Sequence, residues 1–137
     1  MNFQKLRATL ADAEGAYLSL YKDTTDNWTI GIGHNLSSKG ISKGVLEMMF
    51  AEDVRDAQAT LTHLVPDWRN LNEPRQNALV ELAFNMGPRL RGFVHMLTAV
   101  NSGRWDRAAD ELQDSLWFKQ VGRRGPRLVS VIRTGID

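Results

Sequence analysis

Strand-forming character in this chain is confined to one stretch near the N-terminus, and everything after it has helical periodicity. Ser19 to Asp23 reads as a short strand and Thr24-Thr25-Asp26-Asn27 as a polar turn. Trp28-Thr29-Ile30-Gly31-Ile32-Gly33-His34, rich in residues that fit a pleated surface, reads as the returning strand of a hairpin. Strands and helices segregated in this way cannot alternate into a parallel sheet. The predicted class is therefore α+β, mostly helical.

The helical segments can be placed from spacing and punctuation. Asn2 to Ala13 carries Phe3, Leu6 and Leu10 on one face and stops at Glu14-Gly15. Asn35 to Gly40 is rich in Ser, Gly and Asn and reads as loop. Ser42 is a candidate cap for a long helix whose apolar face runs Leu46, Met49, Phe50, Val54, Ala57, Leu61 and Leu64, ended by Pro66. Asn72-Glu73-Pro74 starts another, with Leu79, Leu82, Ala83 and Met86 on one face, and Gly87-Pro88 stops it. Further helices are expected over about Phe93 to Val100 and about Trp105 to Leu116, with a short last one near Pro126 to Ile132.

A length of 137 residues fits one domain. Lys+Arg 17 against Asp+Glu 16 gives a formal charge of +1, too even for a dedicated nucleic-acid binder. Cysteine is absent, which removes disulfides, thiolate nucleophiles and cysteine-based zinc sites. The three histidines, His34, His63 and His95, are far apart with no His-x-x-x-His pair, so no metal site is expected, and His34 reads as a structural hydrogen-bonding residue. No stretch approaches the roughly 20 apolar residues of a membrane span. Asp12 and Glu14 interrupt any signal-peptide core, so synthesis in the cytoplasm without a signal peptide is the expectation.

Three polar residues around the hairpin carry the chemistry. Glu14 lies where a helix ends, Asp23 at the end of the first strand and Thr29 in the returning strand. Glycosidic cleavage needs two carboxyl groups flanking the sugar, one protonated and one ionised, and these positions could converge on it. Spacing alone is weak evidence for this, since acidic residues at helix ends and turns are mostly solvated. Gly31-Ile32-Gly33 lacks a third glycine and a following helix start, which disfavours a dinucleotide cradle and favours close backbone approach. Lys119, Arg123, Arg124, Arg127 and Arg133 make the C-terminal segment basic, read either as a solvated face or as attraction toward an anionic polymer. Trp105, spaced with Ala108, Ala109 and Leu112, reads as core, and Trp28 as a residue for stacking on sugar.

The ordered set Glu14-Gly15, Tyr21-x-Asp23 and Thr29-Ile30-Gly31-x-Gly33-His34 resembles the signature of the phage-type lysozymes, the T-even-like muramidases of glycoside hydrolase family 24. Phe84-Asn85-Met86-Gly87 is similar to the family's Phe-x-Met-Gly turn. Gly103-Arg104-Trp105-Asp106, Ser115 to Gln120 and Arg124 to Gly135 are similar to its C-terminal helices. The resemblance covers nearly the whole chain. It implies a lysozyme-like fold: a small β-hairpin lobe over about 14–42, a connecting helix over about 42–64, and a helical lobe over about 66–137 joined by the N-terminal helix, with the substrate cleft between.

The resemblance also implies an activity: hydrolysis of the β-1,4 bond between N-acetylmuramic acid and N-acetylglucosamine in peptidoglycan, by inversion, as an endolysin that lyses bacterial walls. Glu14 would be the general acid, Asp23 would stabilise the oxocarbenium ion or position water, and Thr29 would hold that water. Trp28, Gly33, His34, Phe84, Asn85 and Arg124 would contact substrate. A general acid must stay protonated near working pH, which calls for burial of Glu14, each pKa unit being worth about 1.4 kcal/mol; Arg124 beside it would pull the other way. No cofactor, nucleic acid or stable membrane insertion is implied. A monomer acting on peptidoglycan is expected, with a holin for access to the wall. A lytic transglycosylase, or a catalytically silent peptidoglycan-binding or structural phage module, is the alternative. One departure is Asp26, where the family commonly has glycine, which sets an extra carboxylate in the turn beside Asp23.

Overall fold

A computed structural model describes all 137 residues, which form two compact units, Met1–Met48 and Met49–Asp137. The first unit opens with α1 (Phe3–Glu14), whose N-terminus is capped by the Asn2 side chain accepting from the Lys5 N–H at 2.9 Å. Gly15 ends it by donating to the Ala11 carbonyl. Then come β1 (Tyr17–Lys22), β2 (Trp28–Gly31), β3 (His34–Asn35) and α2 (Leu36–Lys39). The strands form one antiparallel sheet in the order β1-β2-β3.

Register sets which side chains share a face. Tyr21 pairs with Thr29, and Thr29 in turn with Asn35, so these three form a row on one side. Lys22 pairs with Trp28, and Ile30 with His34, on the other side. An irregularity in β1 between Tyr17 and Tyr21 shifts the pairing toward Gly31. Short contacts tie α2 to the sheet: the Trp28 N–H donates to Ser37 Oγ at 2.8 Å and His34 Nε2 to the Gly40 carbonyl at 2.6 Å. The first unit buries no apolar side chain, and Phe3, Leu6 and Leu10 on α1 are all exposed.

Helix α3 (Lys43–Leu64) begins in the first unit and continues into the second. Only the C-terminal part of its predicted stripe is buried. Ala57 and Leu61 are in the core, whereas Leu46, Met49 and Phe50 are exposed. The second unit adds α4 (Glu73–Met86), α5 (Val94–Asn101), α6 (Trp105–Gln113), α7 (Leu116–Gln120) and α8 (Arg124–Thr134), with 3₁₀ turns at Trp68–Asn70 and Gly87–Gly92. Its core is built on Leu61, Leu79, Leu82, Leu90, Met96, Leu112, Leu128 and Ile132, all fully buried. Ala108 and Ala109, also without exposure, let α6 pack closely against α5 and α8. Arg75 caps the end of α8: Nε donates to the Ile132 carbonyl at 3.0 Å and Nη2 to that of Arg133 at 2.9 Å, with the guanidinium 4.1 Å from the Trp105 ring centre. No helix is long and apolar enough to cross a membrane.

Several boundaries differ from expectation for local reasons. The predicted loop over Asn35 to Gly40 contains α2, because the Asn35 side chain caps a turn by accepting from the Ser38 N–H at 3.0 Å. Gly87-Pro88 ends α4 but also opens a 3₁₀ turn, which Pro tolerates in its first positions. The predicted helix from Trp105 to Leu116 breaks at Asp114, and Ser115 caps the separate α7 through the Phe118 N–H at 3.2 Å. The last helix starts ahead of Pro126, at Arg124, and runs to Thr134.

Candidate active site

Asp23 follows directly on β1 and is held by the turn that it initiates. Its Oδ1 accepts from the Thr25 N–H at 2.9 Å, Thr25 Oγ1 at 3.0 Å and the Asn27 N–H at 2.9 Å. These donors, the Asn27 N–H foremost, hold its carboxyl below the usual aspartate range against an opposing effect of partial burial. Asp26 occupies the turn with φ of 65°, the left-handed geometry for which glycine is suited. Its carboxylate pairs with Lys22 Nζ at 3.0 Å. The extra acid thus keeps the glycine-type turn and is paired with Lys22.

Thr29, 2% exposed, is the only buried polar residue. Its hydroxyl donates to the Asn27 carbonyl at 2.9 Å, and that same carbonyl accepts the Asp23 N–H at 3.0 Å. With its proton committed, Thr29 Oγ1 can only accept from a further partner.

Glu14, the last residue of α1, reaches the β2–β3 connection. A Cβ added to Gly33 would lie 3.1 Å from Glu14 Cγ and 3.2 Å from Cδ and Oε2, so the absence of a side chain at Gly33 makes room for this carboxyl. The Tyr21 phenol is pushed up by partial desolvation, then by the charge of Glu14, with further contributions from Tyr17 and Asp23. One hydroxyl that responds to both carboxylates links Glu14 and Asp23 to the neighbourhood of Tyr21, the cross-strand partner of Thr29. Glu14 itself is exposed, so the surrounding residues do not supply the burial that the acid role calls for.

The other expected contact residues are distributed as follows. Trp28, next to Thr29 in β2, faces the opposite side of the sheet, with Lys22 Nζ 4.8 Å from its ring centre. His34 is engaged by Gly40. In the second unit, the Asn85 side-chain oxygen accepts from Trp117 Nε1 at 2.8 Å. Arg124 pairs through Nε with Glu81 at 3.2 Å, and Arg127 binds the other oxygen of Glu81. Phe84 is half exposed and lines a cavity of about 520 Å³ with Phe50, Val54, Val80 and Arg124. No three His, Asp or Glu side chains are grouped to hold a metal ion. Thr25 and Asn27, which read from the sequence only as turn residues, also hold Asp23; the signal in the sequence is Asp23 two residues before a hydroxyl, a pattern that folds side chain onto backbone.

The family model described as phage lysozyme matches residues 11–133. Among curated relatives, a probable T4-type lysozyme 2 of Dictyostelium discoideum is 31% identical over 95% of this chain and 94% of its own length. A probable T4-type lysozyme 1 of the same organism is 29% identical over 89% of each. The pre-baseplate central spike protein Gp5 of Enterobacteria phage T4 is 33% identical over 89% of this chain, which spans only 26% of that longer protein.

Proposed function

Because the chain belongs to the phage lysozyme family, and with it is a glycoside hydrolase of the lysozyme type, we propose that Glu14, Asp23 and Thr29 hydrolyse the β-1,4 bond between N-acetylmuramic acid and N-acetylglucosamine in peptidoglycan with inversion. Glu14 gives its proton to the glycosidic oxygen as the bond to the anomeric carbon breaks. A water adds to that carbon from the opposite face and surrenders its proton to the Asp23 carboxylate. Thr29 Oγ1 accepts a hydrogen bond from the water's other O–H, which stays on the product hydroxyl, and so turns an oxygen lone pair toward the sugar. Sugar bound against the exposed Glu14 excludes water from its carboxyl. Trp28, on the opposite face of the sheet beside Lys22, is left out of the reaction itself.

The observation that carries this reading is the polar network of Asp23. Its donors favour a charged carboxylate, and Asn27 ties that carboxylate to a hydroxyl able only to accept. A lytic transglycosylase needs the acid but has no use for a water-holding pair. Mass spectrometry of muropeptides released from purified walls separates the two: reducing ends are expected, and anhydro-muramic ends would overturn hydrolysis. Wall binding without any release would instead identify a silent module.

On this reading the protein acts as a monomeric endolysin, made inside the host and reaching the wall through a holin. The likeness to a spike protein favours a second reading, carriage within the virion. Immunoblots of purified particles against cleared lysate decide between these routes.

A further inference from the structure

The two oxygens of Asp23 are treated unequally. Oδ1 takes three short hydrogen bonds, from the Thr25 N–H, Thr25 Oγ1 and the Asn27 N–H, which exhausts its capacity to accept. Oδ2 has a single long contact, 3.4 Å from Asn27 Nδ2, and that amide is itself held by Thr25 Oγ1 at 2.7 Å. Turning the carboxylate about its own axis would break all three bonds at Oδ1. We infer that Thr25 and Asn27 are positioning residues that lock Asp23 with Oδ1 closed and Oδ2 as the oxygen that meets water and sugar. The inference rests on the proposed hydrolysis and assigns it a reacting atom.

Asn27 adds a second constraint, since its carbonyl fastens both the Asp23 N–H and the Thr29 hydroxyl. Motion of the turn therefore carries the base and the water-holding hydroxyl together. Exposure argues against a purely structural purpose for the side-chain part of this network. Thr25 is exposed, so its hydroxyl serves Asp23 rather than core packing. The charged and titratable groups around Asp23 are few. Lys22 and Asp26 pair with each other. Tyr21, in the row with Thr29 and Asn35, has Glu14 and Tyr17 near it, β2 carries no titratable residue, His34 on β3 is engaged by Gly40, and α2 carries Lys39.

The experiment is a carbon-detected NMR titration of the Asp23 carboxyl, run beside the pH profile of kcat/KM on a soluble peptidoglycan oligosaccharide. Wild type, Thr25→Val, Thr25→Ser and Asn27→Ala are compared. Thr25→Val should raise the Asp23 midpoint and move the acidic limb of kcat/KM to higher pH by a matching amount. Thr25→Ser should restore both, and Asn27→Ala, which keeps the backbone donor, should move them less. Amide spectra of the hairpin report whether each variant keeps its turn, and Asn27→Ala serves if the valine variant does not. A cleaving enzyme whose Asp23 midpoint ignores Thr25→Val, or a serine variant that restores nothing, overturns the positioning role alone. A midpoint that moves in a protein that never cleaves the oligosaccharide overturns the hydrolase reading, and the assignment of Oδ2 falls with it.

Discussion

Replacing Gly33 by Ala tests whether the Glu14 carboxyl is held where the hairpin can use it. Two penalties meet at this position. The backbone φ of 66° lies in the left-handed region, where an L side chain costs roughly 1–2 kcal/mol. The new methyl would stand 3.1–3.2 Å from three atoms of Glu14, so the carboxyl must retreat by a few tenths of an ångström. Gly31 supplies the control. Its φ is 68°, and a Cβ there meets nothing within 4 Å, so Gly31→Ala carries the strain without the displacement. Both variants should lose roughly 3–8 °C in melting temperature. Displacing a reacting group by up to an ångström can cost on the order of a hundredfold in rate, so Gly33→Ala should lower kcat at least roughly tenfold with KM little changed. Gly31→Ala should stay within about threefold of wild type. The assay is initial-rate hydrolysis of a peptidoglycan oligosaccharide at a temperature where both variants are folded. Equal losses of kcat would refute the reasoning, and a change confined to KM would make Gly33 a sugar contact instead.

Asp26→Gly should be neutral to stabilising by about 1 kcal/mol, because relief of the left-handed strain outweighs an exposed pair with Lys22; a clear loss in thermal unfolding would contradict this. Arg75→Ala should cost about 2–3 kcal/mol in urea unfolding, through two lost carbonyl bonds and the stacking on Trp105, while kcat stays within about twofold; unchanged stability would count against the cap. Asp23 is bound more tightly as a carboxylate in the folded chain than in the unfolded one. Its contribution is therefore complete above the ordinary aspartate range and disappears as pH falls through the lowered folded value. The stability gap between wild type and Asp23→Asn should accordingly close on acidification, and a constant gap across that range would disprove the linkage.

Much of the architecture was legible because it is local. The hairpin follows from the run that begins at Trp28 and the polar turn before it, although the strand expected to reach His34 stops at Gly31, where positive φ at Gly31 and Gly33 turns the chain and His34 opens β3. Helix α4 follows from Asn72, Pro74 and the Leu79–Leu82–Met86 face. Segment ends were harder to place, since single side chains decide them: Asn35 creates α2 and Ser115 separates α7 from α6. The stripe on α3 shows where periodicity stops being informative. Leu46, Met49 and Phe50 have the right spacing, yet spacing does not specify a partner surface, and only Ala57 and Leu61 are buried. At the candidate site, residue types pointed to Glu14, Asp23 and Thr29. The division of labour between the two oxygens of Asp23 was not legible, because it depends on where the Thr25 hydroxyl and the Asn27 amide point.

The most direct test compares turbidity loss of permeabilised bacteria under wild-type protein and Glu14→Gln at equal concentration, with circular dichroism to establish that both are folded. The glutamine variant keeps the shape of the acid but has no carboxyl proton to give. Clearing by the wild type and none by the folded variant is the predicted outcome. Undiminished clearing by Glu14→Gln would show that the proton comes from elsewhere.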